Sequence, residues 1–235
     1  MTTTDLGPTI LQRGLTIPAL QLVYQTYGTL SADKLNAVLY PTSNGAQRTD
    51  IEWLIGPGRI LYPGKYFIII ANKFGNGLSS SPSNLAAPHT HDRFSVFTRW
   101  ALSQAFYREE LWRSIRFTSV EDFLIRNWDA NFLRRNPDDL LSMAETWTQS
   151  DISDNAIYQG DFKAALGAIK ARSIIMPSTT DLYFTAEDSE IETRQMPNGE
   201  FRPIKSIWGH RAGNPLGNPQ DEAFIRTAVE DLMGR

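Results

Sequence analysis

Three short apolar stretches in the first third of the chain have the patterns of β-strands. Residues 20–27 alternate between apolar and polar side chains, whereas residues 37–40 and 65–72 form continuous apolar runs, the second rich in β-branched residues. Alternation is typical of half-buried strands, and continuous runs are typical of buried parallel strands. A tight Gly-Pro-Gly connection at residues 56–58 lies between the two runs. This region therefore predicts a strand, a crossover and a parallel strand.

The middle of the chain changes to helical spacing from about residue 94. Aromatic and aliphatic residues recur there every three or four positions among many charged ones. Such a stripe is typical of the buried face of packed helices, and this interpretation is favoured over a lid above a substrate pocket. The stripe consists of Trp100, Phe106, Tyr107, Leu111, Trp112, Ile115, Phe123, Leu124, Trp128, Phe132 and Leu133.

Near the end of the chain the alternation of helices and strands returns. The pattern predicts helices at residues 161–169 and 219–233, and strands at residues 171–177 and 201–207. The sequence has no internal repeat and no linker rich in proline or serine. The prediction is a single α/β domain.

This domain would have three consecutive parts. Residues 1–94 form a strand-rich part, residues 95–160 a helical, lid-like insert, and residues 161–235 a C-terminal α/β part.

Composition and charge exclude several classes of function. With a formal charge of -3, the chain lacks the excess of basic residues that nucleic-acid binding requires. No apolar run approaches the roughly 20 residues of a membrane span, and the first residues lack the pattern of a secretion signal. The sequence has no cysteine and three histidines, so disulfides, thiolate zinc sites and a histidine-rich metal site are not expected. We expect a cytoplasmic protein without a bound metal.

An aspartate and a histidine each follow a predicted strand near the C-terminus. Asp181 comes just after the strand at residues 171–177, and His210 follows 29 positions later, after the next one. Functional residues of open α/β sheets lie at the carboxyl ends of strands. An acid followed by a base is the order found in α/β-hydrolase triads. By spacing alone, a turn-capping aspartate and a loop histidine explain the pair equally well.

Several stretches resemble the homoserine O-acetyltransferase-like branch of the α/β-hydrolase superfamily. They are residues 36–43, 53–58, 65–72, 74–84, 181–184 and 208–210. The resemblance implies an α/β-hydrolase-type, mostly parallel sheet with a helical lid. It also implies acyl transfer or hydrolysis by a serine triad, with Asp181 as the acid and His210 as the base. The loop around Thr42 and Ser43 resembles the one that supplies an oxyanion-hole N–H, so Ser43 is the oxyanion-hole candidate.

The resemblance also implies partners and a co-substrate. The substrate would be a hydroxyl-bearing small molecule of amino-acid or secondary metabolism. Acetyl-CoA is the usual acyl donor in acetyltransferase members, and no cofactor would stay bound. Homodimers are common in this branch. Trp100, Phe106, Trp112 and Trp128 would suit an interface as well as an exposed lid.

The sequence departs from the family at the nucleophile. No Gly-x-Ser-x-Gly motif occurs anywhere in the chain, so the nucleophile is unknown. The pattern suggests an internal deletion of about a hundred residues, judged from ordinary βα-unit lengths, that removes the elbow strand and the next strand. The join is expected at residues 94–96. Such a deletion leaves the strand at residues 37–40 without a neighbour, unless the later strand near Ile174 replaces it.

Two other groups of residues are better explained by structure than by chemistry. Ser79, Ser80, Ser81 and Ser83 belong to a loop rich in glycine, serine and proline, where packing is favoured over a replacement nucleophile. His89 and His91 lie close to Asp92, but the sequence supplies no further convergent ligand for a metal.

Two functions follow from the sequence. The first is an acyltransferase or esterase that uses Asp181 and His210. The second is a shortened, catalytically inactive relative that acts as a binding or dimerising protein.

Overall fold

The computed structural model of the protein describes residues 1–10, 16–84 and 101–234. The chain divides into two units. One consists of Met1–Arg93 and Leu133–Ser150, and the other of Phe94–Phe132 and Asp151–Arg235. The boundary therefore falls twice inside the stretch predicted as one helical insert, residues 95–160. The organisation as a single domain stays a prediction.

The first unit is built on a four-stranded sheet. Its strands are β1 (Thr2–Asp5), β4 (Gln21–Tyr27), β5 (Ala37–Pro41) and β6 (Phe67–Ala71), while β2 (Thr9–Ile10) and β3 (Thr16–Ile17) form a separate antiparallel pair. The order in the sheet is β1, β4, β6, β5. β5 runs parallel to β6, as predicted, and the other two pairings are antiparallel. Ile68 and Ile70 of β6 are fully buried, and because alternate side chains of a strand point to the same side, they lie on one face of the sheet.

β5 is the edge strand of this sheet. Among the described residues its only strand neighbour is β6. Leu39 is 65% exposed, and the other residues of β5 are exposed or half-buried. The expectation of a buried strand at residues 37–40 is therefore wrong, because nothing in the described part of the chain pairs with the outer side of β5. The later strand near Ile174 does not take that place.

A long helix completes the first unit. α4 (Pro137–Gln149) begins after Asn136, whose side chain accepts a hydrogen bond from the helix, and proline occupies the first helical position. Leu140 is buried on this helix. Asp139 accepts hydrogen bonds from the backbone N–H and the hydroxyl of Ser83. α4 is thereby fixed to the serine-rich loop.

The second unit begins with short helices around an aromatic core. They are α1 (Gln104–Arg108), α2 (Val120–Phe123) and α3 (Ala130–Phe132), and a π-helical segment, Leu124–Asp129, joins the last two. The core includes Phe106, Trp112, Phe123, Trp128 and Trp208, each less than 8% exposed.

The interpretation of the aromatic stripe as helix core is confirmed for these residues. Phe106, Trp112 and Trp128 are buried within their own unit, so a dimer interface would have to use other side chains. Trp100 lies outside the described residues.

The C-terminal part of the second unit alternates helices and strands. Its elements are α5 (Phe162–Gly167), β7 (Ser173–Ile175), α6 (Ala186–Thr193), β8 (Gly199–Phe201) and α7 (Pro219–Leu232). β7 and β8 pair in parallel as a two-stranded sheet. The strand predicted at residues 201–207 is displaced, because Pro203 has no N–H for a ladder and Ile204 forms only a single bridge. None of the helices in the described ranges is long and apolar enough to cross a bilayer.

Candidate active site

Asp181 lies in the turn that follows β7. A single bridge between Ser178 and Ile204 holds the start of this turn. One carboxylate oxygen, Oδ1, accepts hydrogen bonds from the backbone N–H groups of Tyr183 at 2.8 Å and Phe184 at 3.2 Å. Only 6% of the Asp181 side chain is exposed. The turn therefore fixes the direction of the carboxylate and leaves Oδ2 for another donor.

His210 is placed by the glycine before it. Gly209 has a φ of +60°, in the left-handed region that favours glycine. A Cβ at this position would lie 2.8 Å from both the carbonyl oxygen of Ala101 and the backbone nitrogen of Ser103. The backbone at Gly209 therefore approaches that of Ala101 and Ser103 too closely for any residue with a Cβ. Gly209 is also the first residue of the short 3₁₀ helix that carries His210.

Thr180 connects the loop of the acid with the loop of the base. Its hydroxyl donates a hydrogen bond to the carbonyl oxygen of Ser206 at 2.8 Å and accepts one from the N–H of Gly209 at 3.1 Å. The residue before Asp181 is thus bonded to the residue before His210. This positioning role is not predictable from the sequence, because a threonine in a turn carries no distinctive pattern.

The structure brings Asp181 and His210 into direct contact. Nδ1 of His210 lies 2.9 Å from Oδ2 of Asp181. Burial by itself raises the pKa of Asp181, but hydrogen bonds from His210 and from the backbone of Tyr183 and Phe184 outweigh it, so the pKa lies below its ordinary value. The ionised carboxylate of Asp181 can accept a hydrogen bond from Nδ1–H of His210, and this tautomer leaves Nε2 free to accept a proton.

Two aromatic rings flank the imidazole. The ring centres of Tyr183 and Phe184 lie 5.2 Å and 5.5 Å from that of His210. Burial, together with the negative charge of Asp181, raises the pKa of Tyr183 to about 12. The same two rings line an open concavity of about 420 Å³. Tyr183 therefore stays protonated near neutral pH, and an apolar surface adjoins His210.

Ser43, the oxyanion-hole candidate, lies in the first unit. It follows the end of β5 and is exposed, while Thr42 before it is fully buried. Thr42 donates its N–H to Ala71 and accepts a hydrogen bond from Lys73 through its hydroxyl. No acceptor for the N–H of Ser43 occurs in the part of the chain that the structure describes. The backbone at Ser43 is thus anchored by its neighbour, and its role stays a prediction.

The serines of the loop at residues 79–83 have structural partners. Ser79 accepts from the N–H of Val23 and donates to the carbonyl of Asn72, and Ser80 accepts from the N–H of Gln21. These bonds fasten the loop to β4. The expected packing role of the loop is confirmed for these residues.

Two serines of the second unit also have hydrogen-bond partners. Ser103 caps α1 and donates to the carbonyl of Ile207, and Ser206 donates to Asp221 at 2.6 Å. No described hydroxyl forms a hydrogen bond with His210. The nucleophile is thus not located. His89, His91, Asp92 and the expected join at residues 94–96 lie outside the described residues.

Curated relatives and solved structures match this chain, although no protein-family model does. The ethyl acetate hydrolase of Pseudomonas veronii is 27% identical, over 88% of each chain. A crystal structure of an acetylester hydrolase from Corynebacterium glutamicum superposes with a TM-score of 0.88 and 25% identity, covering 100% of this chain and 96% of that one.

A homoserine acyltransferase matches a shorter part. The homoserine O-acetyltransferase of Caulobacter vibrioides is 37% identical over 38% of this chain and 26% of its own length. The homologues are thus esterases and homoserine O-acyltransferases, and their solved structures have the α/β-hydrolase fold. These relatives support the predicted resemblance to the homoserine O-acetyltransferase-like branch of the α/β-hydrolase superfamily.

Proposed function

We propose that this chain hydrolyses short acyl esters, with Asp181 and His210 as the acid and the base. The observation that carries the proposal is the 2.9 Å contact between His210 Nδ1 and Asp181 Oδ2, because a general base must be held in one tautomer and orientation. Hydrolysis is favoured over transfer to an acceptor because the relative that aligns with 88% of this chain is a hydrolase. The alternative of a binding or dimerising protein finds no support among these relatives.

The proposed reaction uses Nε2 of His210 as a proton shuttle. An oxygen nucleophile attacks the carbonyl carbon of the ester while its proton passes to Nε2, and the carbonyl electron pair moves onto the oxygen. The resulting tetrahedral intermediate collapses, the bond to the alcohol oxygen breaks, and that oxygen takes the proton from Nε2. Asp181 stays ionised throughout and stabilises the transient imidazolium.

The backbone N–H of Ser43 is the proposed donor to the oxyanion. A tetrahedral intermediate requires such a donor because negative charge develops on the former carbonyl oxygen. The N–H of Ser43 has no acceptor in the described part of the chain, and the buried Thr42 anchors the backbone before it. These features support the assignment.

The nucleophile of longer family members is proposed to lie in an internal segment that this chain lacks. The chain has no Gly-x-Ser-x-Gly motif. Its alignment with the Pseudomonas veronii hydrolase spans 308 positions, more than the 235 residues available here, so some positions of that relative face a gap. The outer edge of β5, which has no strand partner in the described part of the chain, also supports a missing neighbouring strand. In the 235-residue chain, a water molecule then takes the place of the serine.

Partners and location complete the proposal. The substrate is an ester of a hydroxyl-bearing small molecule, and acetyl-CoA as an alternative acyl donor stays a prediction. A homodimer and a cytoplasmic location also remain proposals.

Hydrolysis of p-nitrophenyl acetate tests the proposal. His210→Ala should lower the rate constant by roughly 10²- to 10⁴-fold, the usual contribution of a general base. His89→Ala is the matched histidine control and should leave the rate unchanged. Equal rates for His210→Ala and the unaltered chain would refute the assignment of His210.

A covalent probe tests the identity of the nucleophile. The chain is incubated with diisopropyl fluorophosphate and its intact mass is measured. Attack by water predicts no adduct, because no activated serine is present. A stoichiometric adduct on one serine would show that the chain contains its own nucleophile.

A further inference from the structure

Arg211 is a half-buried cation without an anionic partner among the described residues. Its Nε is buried and has no hydrogen-bond acceptor. The guanidinium carbon lies 5.7 Å from the centre of the Trp128 ring. Burial lowers the pKa of Arg211. A guanidinium in such surroundings is unfavourable unless a counter-ion joins it.

Further donors without acceptors occur in the same unit. Nε1 of Trp128, the indole beside Arg211, is buried and unpaired, and so are Nε1 of Trp112 and Nδ2 of Asn127. All of these atoms, like Nε of Arg211, are N–H donors. Buried donors normally have acceptors. At Arg211 and the adjacent Trp128, a group that offers acceptor atoms would satisfy the unpaired N–H donors, whereas a group that offers only donors would not.

Arg211 is close to the candidate active site. It follows His210 in the 3₁₀ helix Gly209–Gly213. Tyr107 interacts electrostatically with both Arg211 and Tyr183, and the Tyr183 ring lies 5.2 Å from the ring of His210. Tyr107 and Tyr183 thus connect the surroundings of Arg211 with those of His210.

We propose that Arg211, with the indole N–H of Trp128, binds a carboxylate group of the substrate. This inference rests on the proposed function, since it names the class of ester that the site accepts. The planar fork of guanidinium donors matches the two oxygens of a carboxylate, and such charge-assisted bonds are the strong ones. The carboxylate belongs either to the acyl part or to the alcohol part of the ester.

Amide analogues test this binding without any hydrolysis. Succinamate carries its carboxylate on the acyl side, and N-acetylglycine carries it on the leaving side. Succinamide and N-acetylglycinamide are the matched neutral controls. Binding is measured on the full chain by calorimetry, together with the ¹H–¹⁵N signal of the Trp128 indole.

The unaltered chain should bind one of the two carboxylates, with a shift of the Trp128 signal, and bind its neutral control at least roughly tenfold more weakly. Which carboxylate binds identifies the side of the ester. Equal affinities of the carboxylate and neutral probes, or no binding of either carboxylate, would overturn the proposal. Because the probes are amides and only their binding is measured, the test remains valid even if the chain does not hydrolyse esters.

Arg211→Met distinguishes a binding role from a structural one. This variant should lose carboxylate binding yet melt, without probe, at or above the temperature of the unaltered chain, because an unpaired buried charge has been removed. Arg194→Met, an exposed arginine paired with Glu190, is the control and should bind the probes normally. A large fall in melting temperature for Arg211→Met would show that Arg211 has a partner within the chain and would overturn the proposal.

Discussion

The hydroxyl of Thr180 donates a hydrogen bond to the carbonyl oxygen of Ser206 at 2.8 Å, and this bond fastens the loop of the acid to the loop of the base. The same hydroxyl accepts from Gly209 at 3.1 Å. Asp181 directly follows Thr180 in the chain, and His210 directly follows Gly209. Their 2.9 Å contact is therefore supported by backbone anchors on both sides.

Thr180→Val should loosen this arrangement. The valine keeps the shape of threonine but leaves the carbonyl of Ser206 and the N–H of Gly209 without their partner. We expect a loss of about 1 to 3 kcal/mol in the free energy of unfolding. Thr179→Val, at the exposed neighbouring position, should stay within about 0.5 kcal/mol. Urea unfolding measures both, and similar values for the two variants would contradict the role of Thr180.

Gly209→Ala should destabilise the second unit. The left-handed backbone costs a residue with a Cβ about 1 to 2 kcal/mol, and the contacts at 2.8 Å with Ala101 and Ser103 add to this. Gly213→Ala is the matched control, since a Cβ there meets nothing within 4 Å. Thermal melting should show a clear fall for the first variant alone. Equal melting temperatures would mean that the close approach at Gly209 is not required.

Asp181 should stabilise the fold in a pH-dependent manner. Its pKa in the folded chain lies below the unfolded value of about 3.9. Its contribution is therefore complete above about pH 4 and disappears as the pH falls through the lower folded value. The difference in unfolding free energy between the unaltered chain and Asp181→Asn should shrink as the pH falls below about 4. A difference that grows on acidification would contradict this sign.

Leu39→Lys should reduce self-association through β5. An exposed apolar edge strand recruits other strands, and a lysine on that edge prevents it. Leu39 is 65% exposed, so its replacement should change the unfolding free energy by no more than about 0.5 kcal/mol. Leu133→Lys, at a residue that is 87% exposed and lies outside the sheet, is the control. Light scattering at increasing concentration should distinguish them, and equal scattering would exclude β5 as the associating edge.

The sequence predicts those parts of the fold that follow from local patterns. The apolar run at residues 65–72 contains β6, and the pattern at residues 219–233 contains α7, because strand and helix periodicities act over a few residues. The pairing of strands, in contrast, depends on residues that are distant in the sequence. The exposure of β5 at Leu39 was therefore not predictable from its own five residues, which read as a buried strand.

The residues of the candidate site were likewise predictable only where a local sequence pattern marks them. Asp181 and His210 could be identified because their order and spacing carry a chemical pattern. Thr180 and Arg211 could not, since their roles depend on contacts with Ser206 and Trp128 that no local sequence pattern records. The displacement of β8 has a cause that is visible in the sequence, because Pro203 lacks the N–H that a strand ladder requires.

Chemical rescue of His210→Ala tests the central claim most directly. Imidazole is added at increasing concentration, and hydrolysis of p-nitrophenyl acetate is compared with that of the double variant His210→Ala, Asp181→Asn, which corrects for catalysis by free imidazole. If Asp181 orients the base, imidazole should restore a saturable rate in the single variant and only the background rate in the double variant. Identical rates in the two variants at every imidazole concentration would contradict an acid-base pair formed by Asp181 and His210.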